Sequence, residues 1–332
     1  MKILYAIQGT GNGHLSRAMD VAPALEKHGQ VDYFISGAQA DISFPFDVKY
    51  TSKGLSFYFG KRGGIDYSRT FFKNSASRLY KELKSFPIEN YDLIINDFEP
   101  ISAWSAKLKG KKCIALSHQS ALLGDEFPKP KKSDLVGETI LKNYAPAQRH
   151  YGFHFEAKGD SIFTPIIRKA LREADVKNLG HYTVYLPAYS DAKIVSVLKQ
   201  MPEVEWQIYS KHTKSGSVHG NTAISPIDND QFIHSITSCE GVLCGAGFET
   251  PSEALYLGKK LIVIPMRNQY EQQCNAMALQ ELGIPVLDHL STRSVTKIRE
   301  LIDSDMPEPI HYPDETEELV EQIVRKEVEC VG

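Results

Sequence analysis

Cysteine is scarce and unpaired in this chain. Cys113, Cys239, Cys244, Cys274 and Cys330 are odd in number and scattered, with no Cys-x-x-Cys spacing. That excludes a disulfide framework and a zinc ribbon, and predicts reduced thiols in a cytoplasmic protein. No apolar run approaches the roughly twenty residues of a membrane span. Lys2 to Ile7 already reads as a strand, so no signal peptide is expected. Neither sign of charge is in large excess: 38 basic residues stand against 41 acidic ones, for a net charge of -3. With a pI near 6.4, the overall charge gives no reason to expect nucleic acid as a partner. Repeats of solenoid length and low-complexity tracts are also lacking. What remains is ordinary globular composition, 42% hydrophobic and 24% charged, over 332 residues. That length exceeds one ordinary core and predicts two domains.

The most informative stretch runs from Val242 to Ala276. Val242, Leu243 and Cys244 form an apolar strand that ends in Gly245, Ala246 and Gly247, small residues that let a ligand approach the backbone. A helix should follow, with Thr250 as N-cap, Pro251 in the first helical position and Glu253 completing a Thr-x-x-Glu capping box. A helix start facing a glycine turn at the end of a parallel strand suits a phosphate. The bland alternative is that Glu253 only caps and the turn only lets helix and strand pack closely. Beyond Gly258, the strand Leu261 to Ile264 leads into a loop carrying Arg267, Asn268, Gln269, Glu271, Gln272, Gln273 and Asn275. That amide density suits a polyhydroxylated ligand, because each amide both donates and accepts.

This block resembles the donor-binding signature of inverting glycosyltransferases with the GT-B fold. These include the lipid II-forming N-acetylglucosaminyltransferase, its diacylglycerol-glycosylating relatives and the nucleotide-sugar enzymes of natural products. The resemblance implies an α/β architecture of two Rossmann-like domains facing each other across a cleft. The expected division is an acceptor-side domain over 1–164, a donor-binding domain over 165–312, and an acidic helix over 313–332 that returns to the first domain. It further implies that Gly245, Ala246, Gly247 and Phe248 hold the donor diphosphate and that Glu253 binds the ribose. Gln272, Gln273 and Asn275 would read the sugar, with Gln269 and Gln272 competing for one contact. The co-substrate would be a nucleotide sugar, with UDP-sugar the first expectation, and neither cofactor nor metal is expected.

The rest of the chain fits a series of βαβ units. Lys2 to Ile7 ends in Gln8-Gly9-Thr10-Gly11-Asn12-Gly13-His14, before a helix stopped by Gly29. His14 stands where a dinucleotide fingerprint needs its last glycine, and Val31 to Ile35 ends in Ser36-Gly37 rather than an acid, which argues against a nicotinamide or flavin enzyme. In the family resembled, the Gly11-x-Gly13-His14 pattern belongs to the acceptor-side loop, with the His between acceptor and donor. Strands over Asp92 to Asn96 and Lys112 to Leu116 present Asp97 and His118 at their carboxyl ends, where open α/β sheets collect ligands. His118 could equally be a hydrogen-bonded structural residue. Tyr151 to Phe155 is expected to be the last strand of the first domain. In the second, Ile227 either lies against the nucleotide base or belongs to a plain connection in which Asp228 or Asn229 caps a helix.

These parts predict direct displacement at an anomeric carbon, with His14 as base, Asp97 orienting it, and the glycine turn holding the departing diphosphate. A GT-B-like nucleotide-sugar epimerase and a non-catalytic nucleotide-sugar-binding protein are the alternatives. The acceptor expectation rests on residues 55–86, where aromatic and basic side chains interleave. Such a mixture can hold a protein peripherally on a bilayer beside a lipid-linked acceptor, whereas the competing reading is a helix whose aromatics face the core.

Overall fold

Apolar runs that end in glycine or polar turns become the strands, and the stretches between them become crossover helices. The computed structural model describes residues 1–37, 42–54, 59–60, 64–65, 76–130 and 134–329. In the first half, the strands are β1 (Lys2–Gln8), β2 (Gln30–Ser36), β3 (Val48–Ser52), β6 (Leu93–Asp97), β7 (Ile114–Ser117), β8 (Arg149–Phe153) and β9 (Ile162–Phe163). They form one parallel sheet in the order β3-β2-β1-β6-β7-β8-β9, with the small ribbon β4 (Phe59–Gly60) and β5 (Gly64–Ile65) outside it. The second sheet, ordered β12-β13-β11-β10-β14-β15, comprises β10 (Tyr182–Tyr185), β11 (Trp206–Ser210), β12 (Ser217–His219), β13 (Thr222–Pro226), β14 (Gly241–Gly245) and β15 (Lys260–Ile264). The chain is thus an α/β protein with two parallel-dominant sheets, as GT-B architecture requires.

Each sheet is covered on both faces, which is why its strands read as nearly unbroken apolar runs. On β1, Ile3, Tyr5 and Ile7 face the cluster that includes helix α1 (Asn12–Glu26), whereas Leu4 and Ala6 face a second cluster with Phe34, Ile94 and Ile101. The helices that follow in order are α2 (Ala76–Ser85), α3 (Pro100–Leu108), α4 (His118–Ala121), α5 (Leu135–Asn143), α6 (Lys169–Arg172), α7 (Asp191–Leu198), α8 (Asn229–Ser238), α9 (Glu249–Tyr256), α10 (Tyr270–Glu281), α11 (Val295–Ile302) and α12 (Thr316–Glu329). On α12, Leu319, Val320, Ile323 and Val324 pack into the α1 cluster with Ala18, Val21 and Leu25. The buried Glu327 fixes that docking, accepting from Tyr151 Oη at 2.6 Å and pairing with Lys112 Nζ at 2.6 Å.

At the edge of the second sheet, the three exposed residues of β12 pair antiparallel with β13. Two expectations need correction. The strand at Tyr151 is not the last of its sheet, because β9 adds beyond it with only two residues, too short to give a period. The other concerns the start of α9, which begins at Glu249 with no side-chain cap. Thr250 and Pro251 lie inside its first turn, where the missing Pro251 N–H costs no intrahelical bond, and no capping box forms.

Candidate functional site

The carboxyl ends of both sheets meet at a cleft of about 1030 Å³, lined from one side by Thr10, Gly11, Gly13, His14 and Arg17 and from the other by Gly247, Phe248, Glu249 and Thr250. Gly11 starts α1 at φ 98, a backbone conformation in which an L side chain is strained. A Cβ on Gly13 would stand 3.0 Å from Glu249 Cγ, so glycine there lets the two walls approach.

His14 lies in the first turn of α1, and Asp97 ends β6, where burial of the whole strand places its carboxylate beneath the cleft. His14 Nδ1 and Asp97 Oδ1 are 2.8 Å apart. Because a carboxylate only accepts, Nδ1 carries a proton, and in the neutral imidazole Nε2 is the nitrogen with the lone pair. Arg17, three residues along α1, donates through Nη2 to both Asp97 oxygens at 2.7 Å and through Nη1 to Glu249. Its Nη2 also lies 3.2 Å from His14 Nδ1, a close approach rather than a bond to a nitrogen already protonated. Arg17 and His14 together hold the Asp97 carboxyl below its ordinary range, against the opposite pull of burial. For Glu249, burial dominates: only partly offset by Arg17, it pushes the carboxyl up to about 7. Phe98, directly after Asp97, sits in left-handed backbone space at φ 54, with its ring parallel to His14 and stacked on Tyr144 at 4.9 Å between centroids. A strained non-glycine residue beside His14 marks a place that its surroundings hold fixed.

A second cavity of about 550 Å³ adjoins the first, lined by Tyr185, Tyr209, Ile227, Asp228, Phe232, Arg168 and Glu253, together with Glu249 and Thr250. Aromatic and aliphatic walls with a charged end suit a nucleoside. Glu253 is held by Arg168, whose Nε and Nη2 donate to its two oxygens at 2.5 and 2.9 Å, while Arg168 Nη1 reaches Asn229 Oδ1 at 2.9 Å. Asp228 is the N-cap of α8, accepting from the Gln231 amide at 2.9 Å.

The amide loop is only partly at the cleft. Gln269 and Gln272 line it, and so does Glu271, which accepts from Gln119 Nε2 at 2.9 Å. Gln269 Oε1 caps α10 and Gln272 Oε1 accepts from the Met266 amide. Gln273 is not among the residues lining either cavity. Asn275 is fully buried beneath the turn, where Nδ2 donates to the Ala246 carbonyl at 3.1 Å and Oδ1 lies 2.7 Å from His118 Nε2. Its expected sugar contact is therefore corrected to a bracing role, because both ends of the amide are already engaged. Gly245 and the buried Ala246 lie behind the turn, so Gly247 and Phe248 are the part of it that reaches the cleft. Phe248 also stacks face to face on His118 at 4.0 Å, and His118 Nδ1 lies 2.7 Å from the Phe153 carbonyl. Arg17, Arg168 and Glu249 carry no sequence motif; the Arg17–Glu249 ion pair joins the two halves of the chain, and the Arg168–Glu253 pair ties the start of the second half to α9.

Asp-x-Asp spacings occur at Asp228–Asp230 and Asp303–Asp305, but among the described residues no group of three or more His, Cys, Asp or Glu side chains could hold a metal ion. Among the same residues, no helix is long and apolar enough to cross a membrane.

Matched by sequence to curated proteins, the chain finds no counterpart. Its fold is similar to that of Acinetobacter baumannii MurG, with a TM-score of 0.55 at 14% identity over 98% of this chain and 99% of that one. It is also similar to Phytolacca americana UGT2, solved with UDP-2fluoro-glucose and pterostilbene, with a TM-score of 0.57 at 14% identity over 98% of both chains. The spinosyn forosaminyltransferase SpnP gives a TM-score of 0.57 at 13% identity, covering 99% of this chain and 95% of that one. At such identities the likeness establishes the fold. The family model described as glycosyl transferase family 1 matches residues 1–302, so the chain belongs to that family and is a glycosyltransferase of the GT-B type.

Proposed function

We propose that this enzyme transfers a sugar from a UDP-sugar to an acceptor hydroxyl by direct displacement, inverting the anomeric centre without a metal. The observation that carries the reading is that His14, hydrogen-bonded to Asp97, and the uncapped start of α9 line one cleft from opposite sides. His14 Nε2 takes the acceptor proton while Asp97 stabilises the imidazolium that forms. The first-turn amides of α9, unpaired within the helix, meet the diphosphate, and the helix dipole offsets the charge that grows on the leaving group. The nucleoside lies in the adjoining cavity, with its base against Ile227 and the aromatic walls and its ribose hydroxyls at Glu253. Gln269, Gln272 and Glu271 face the sugar.

The acceptor is lipid-linked, as in cell-envelope glycan synthesis, and the enzyme works peripherally at the cytoplasmic face of the membrane. What supports this is the aromatic and basic composition of residues 55–86 and the lipid-using members of the family resembled. A thermal-shift panel of nucleotides tests the donor, because a ligand of the folded state raises its melting temperature. UDP should raise it more than purine diphosphates do. Incubation with UDP-sugars and lipid-linked acceptors should then give product that survives exhaustive chelation. Donor conversion without any acceptor would replace this reading with that of an epimerase, and activity regained only on adding magnesium or manganese would overturn metal independence.

A further inference from the structure

An acidic residue stands where the donor diphosphate is read to bind. Glu249 is the first residue of α9, its side chain lines both cavities, and Gly247, Phe248 and Thr250 flank it on the same wall. Its cationic partner is Arg17, already committed through Nη2 to both oxygens of Asp97. The groups that face Glu249 are Arg17 and His14 from α1, Asp97 from β6, Tyr5 from β1, and Glu253 from its own helix, the last offset by Arg168. Arg17 is shared between the buried Asp97 and Glu249, whose side chain is 14% exposed, so Glu249 is incompletely neutralised. Burial has already brought its carboxyl up to about 7. A diphosphate reaching the first-turn amides of α9 would meet this side chain in a site of low dielectric, where two adjacent anions strongly disfavour each other. Moving Glu249 aside would strip Arg17 of its second partner. Taking up a proton keeps the side chain in place and turns an opposing charge into a donor.

We propose that Glu249 binds the donor diphosphate as a carboxylic acid: a proton taken from solvent onto its carboxylate accompanies the nucleotide and is shared in a hydrogen bond with a phosphate oxygen. This rests on the nucleoside-diphosphate reading of the site. No bond is made or broken other than to that proton, which returns to solvent when the nucleotide leaves.

Titration calorimetry of the protein with UDP, and in parallel with dTDP, tests it between pH 7.5 and 8.5, above the ionisation of the terminal phosphate and below that of the uracil or thymine ring N–H. Runs in buffers of different ionisation enthalpy count the protons exchanged. We expect about one proton taken up per nucleotide at pH 8.5, and a dissociation constant that rises about tenfold per pH unit. Glu249→Gln, isosteric with the acid, should bind without proton uptake, with an affinity independent of pH over this range, and at pH 8.5 at least about tenfold more tightly than the unmodified protein. His14→Ala should retain the uptake, which separates Glu249 from the neighbouring imidazole. Binding by the unmodified protein with no proton uptake overturns the inference and leaves the donor reading intact, and this holds whether or not Glu249→Gln folds. Uptake that persists in Glu249→Gln also overturns it. Failure of both nucleotides to bind at any pH removes the donor reading, and this inference with it.

Discussion

Arg168 grips Glu253 with two parallel hydrogen bonds, Nε to Oε1 at 2.5 Å and Nη2 to Oε2 at 2.9 Å, and both side chains are largely buried. The carboxylate that a capping box would have turned back onto its own helix is instead tied to the segment preceding α6. Glu253→Gln leaves a buried guanidinium short of its counter-charge, a loss of about 3 kcal/mol of folding stability. It should also weaken UDP binding by about 1 to 3 kcal/mol, since each carboxylate oxygen retains a lone pair for a ribose hydroxyl. Thr250→Ala, by contrast, should change stability by less than about 0.5 kcal/mol, because Thr250 caps nothing. Denaturant melts with calorimetry separate the roles, and unaltered UDP affinity in Glu253→Gln would reduce Glu253 to a structural ion pair.

His14→Ala should lower turnover about a hundredfold or more and leave donor affinity nearly unchanged, because the imidazole acts on the acceptor proton. Asp97→Asn should cost both turnover and stability. It leaves Arg17 holding a neutral amide in place of a carboxylate, and that amide can turn its NH₂ toward the His14 nitrogen that must stay protonated. Rates and melts on the two variants decide this. A fully active His14→Ala would remove the base.

Stability should also fall as the solution is made acidic, starting well above the carboxylate range. His154 is buried against Phe127, neither ring nitrogen has a hydrogen-bond partner among the described residues, and burial pushes its pKa down to about 2. The unfolded chain binds a proton there near pH 6.5 and the folded one does not, so its contribution is lost as pH drops below that value. From pH 7 to pH 5 the loss is about 2 kcal/mol for this one residue. Burial lowers His118 and His181 in the same direction. His154→Leu should reduce the decline by about that amount in urea titrations at the two pH values, and an unchanged decline would show that His154 does not contribute.

Much of this was legible in the sequence, for physical reasons that can be named. The buried parallel strands announce themselves because both faces are apolar, as at Leu261 to Ile264, and their polar ends give away Asp97 and the turn at Gly247. Gly11, Gly13 and His14 were readable because a backbone needing φ 98 next to a helix start leaves a glycine signature. Arg17 and Arg168 were not, because nothing local distinguishes a buried arginine from a solvated one. Each is defined by a carboxylate 80 or more positions away. Asn275 misled because a buried amide bracing a turn and an exposed amide reading a sugar have the same local sequence. The start of α9 misled because proline fits any first-turn position, so Thr250-Pro251 fits inside a helix as well as at its edge.

The segment expected at the membrane lies mainly outside the described residues, namely 55–58, 61–63 and 66–75, but its helical end can be assessed. On α2, Leu79 and Leu83 turn inward onto a cluster in which Phe86 is buried, so Phe86 is a core residue and is not available to a bilayer. Arg78 is engaged with Glu82 and the Gly54 carbonyl. The outward side carries Tyr80, Lys81 and Lys84, with Lys84 Nζ 4.7 Å from the Tyr80 ring centre. An aromatic ring flanked by lysines is suited to the headgroup region, and each cation near an anionic surface contributes about 1 kcal/mol. Sedimentation with anionic vesicles should therefore carry the protein down at low salt, and neutral vesicles should leave it in solution. Raising the salt should release it, since the attraction is screened within about a Debye length. Charge reversal at Lys73, Lys81 and Lys84 together should weaken binding by about two orders of magnitude, counting about 1 kcal/mol for each cation lost. Absence of binding to anionic vesicles at low salt would make a soluble acceptor the better reading, whereas binding that survives both salt and charge reversal would mean that apolar insertion holds the protein on the bilayer.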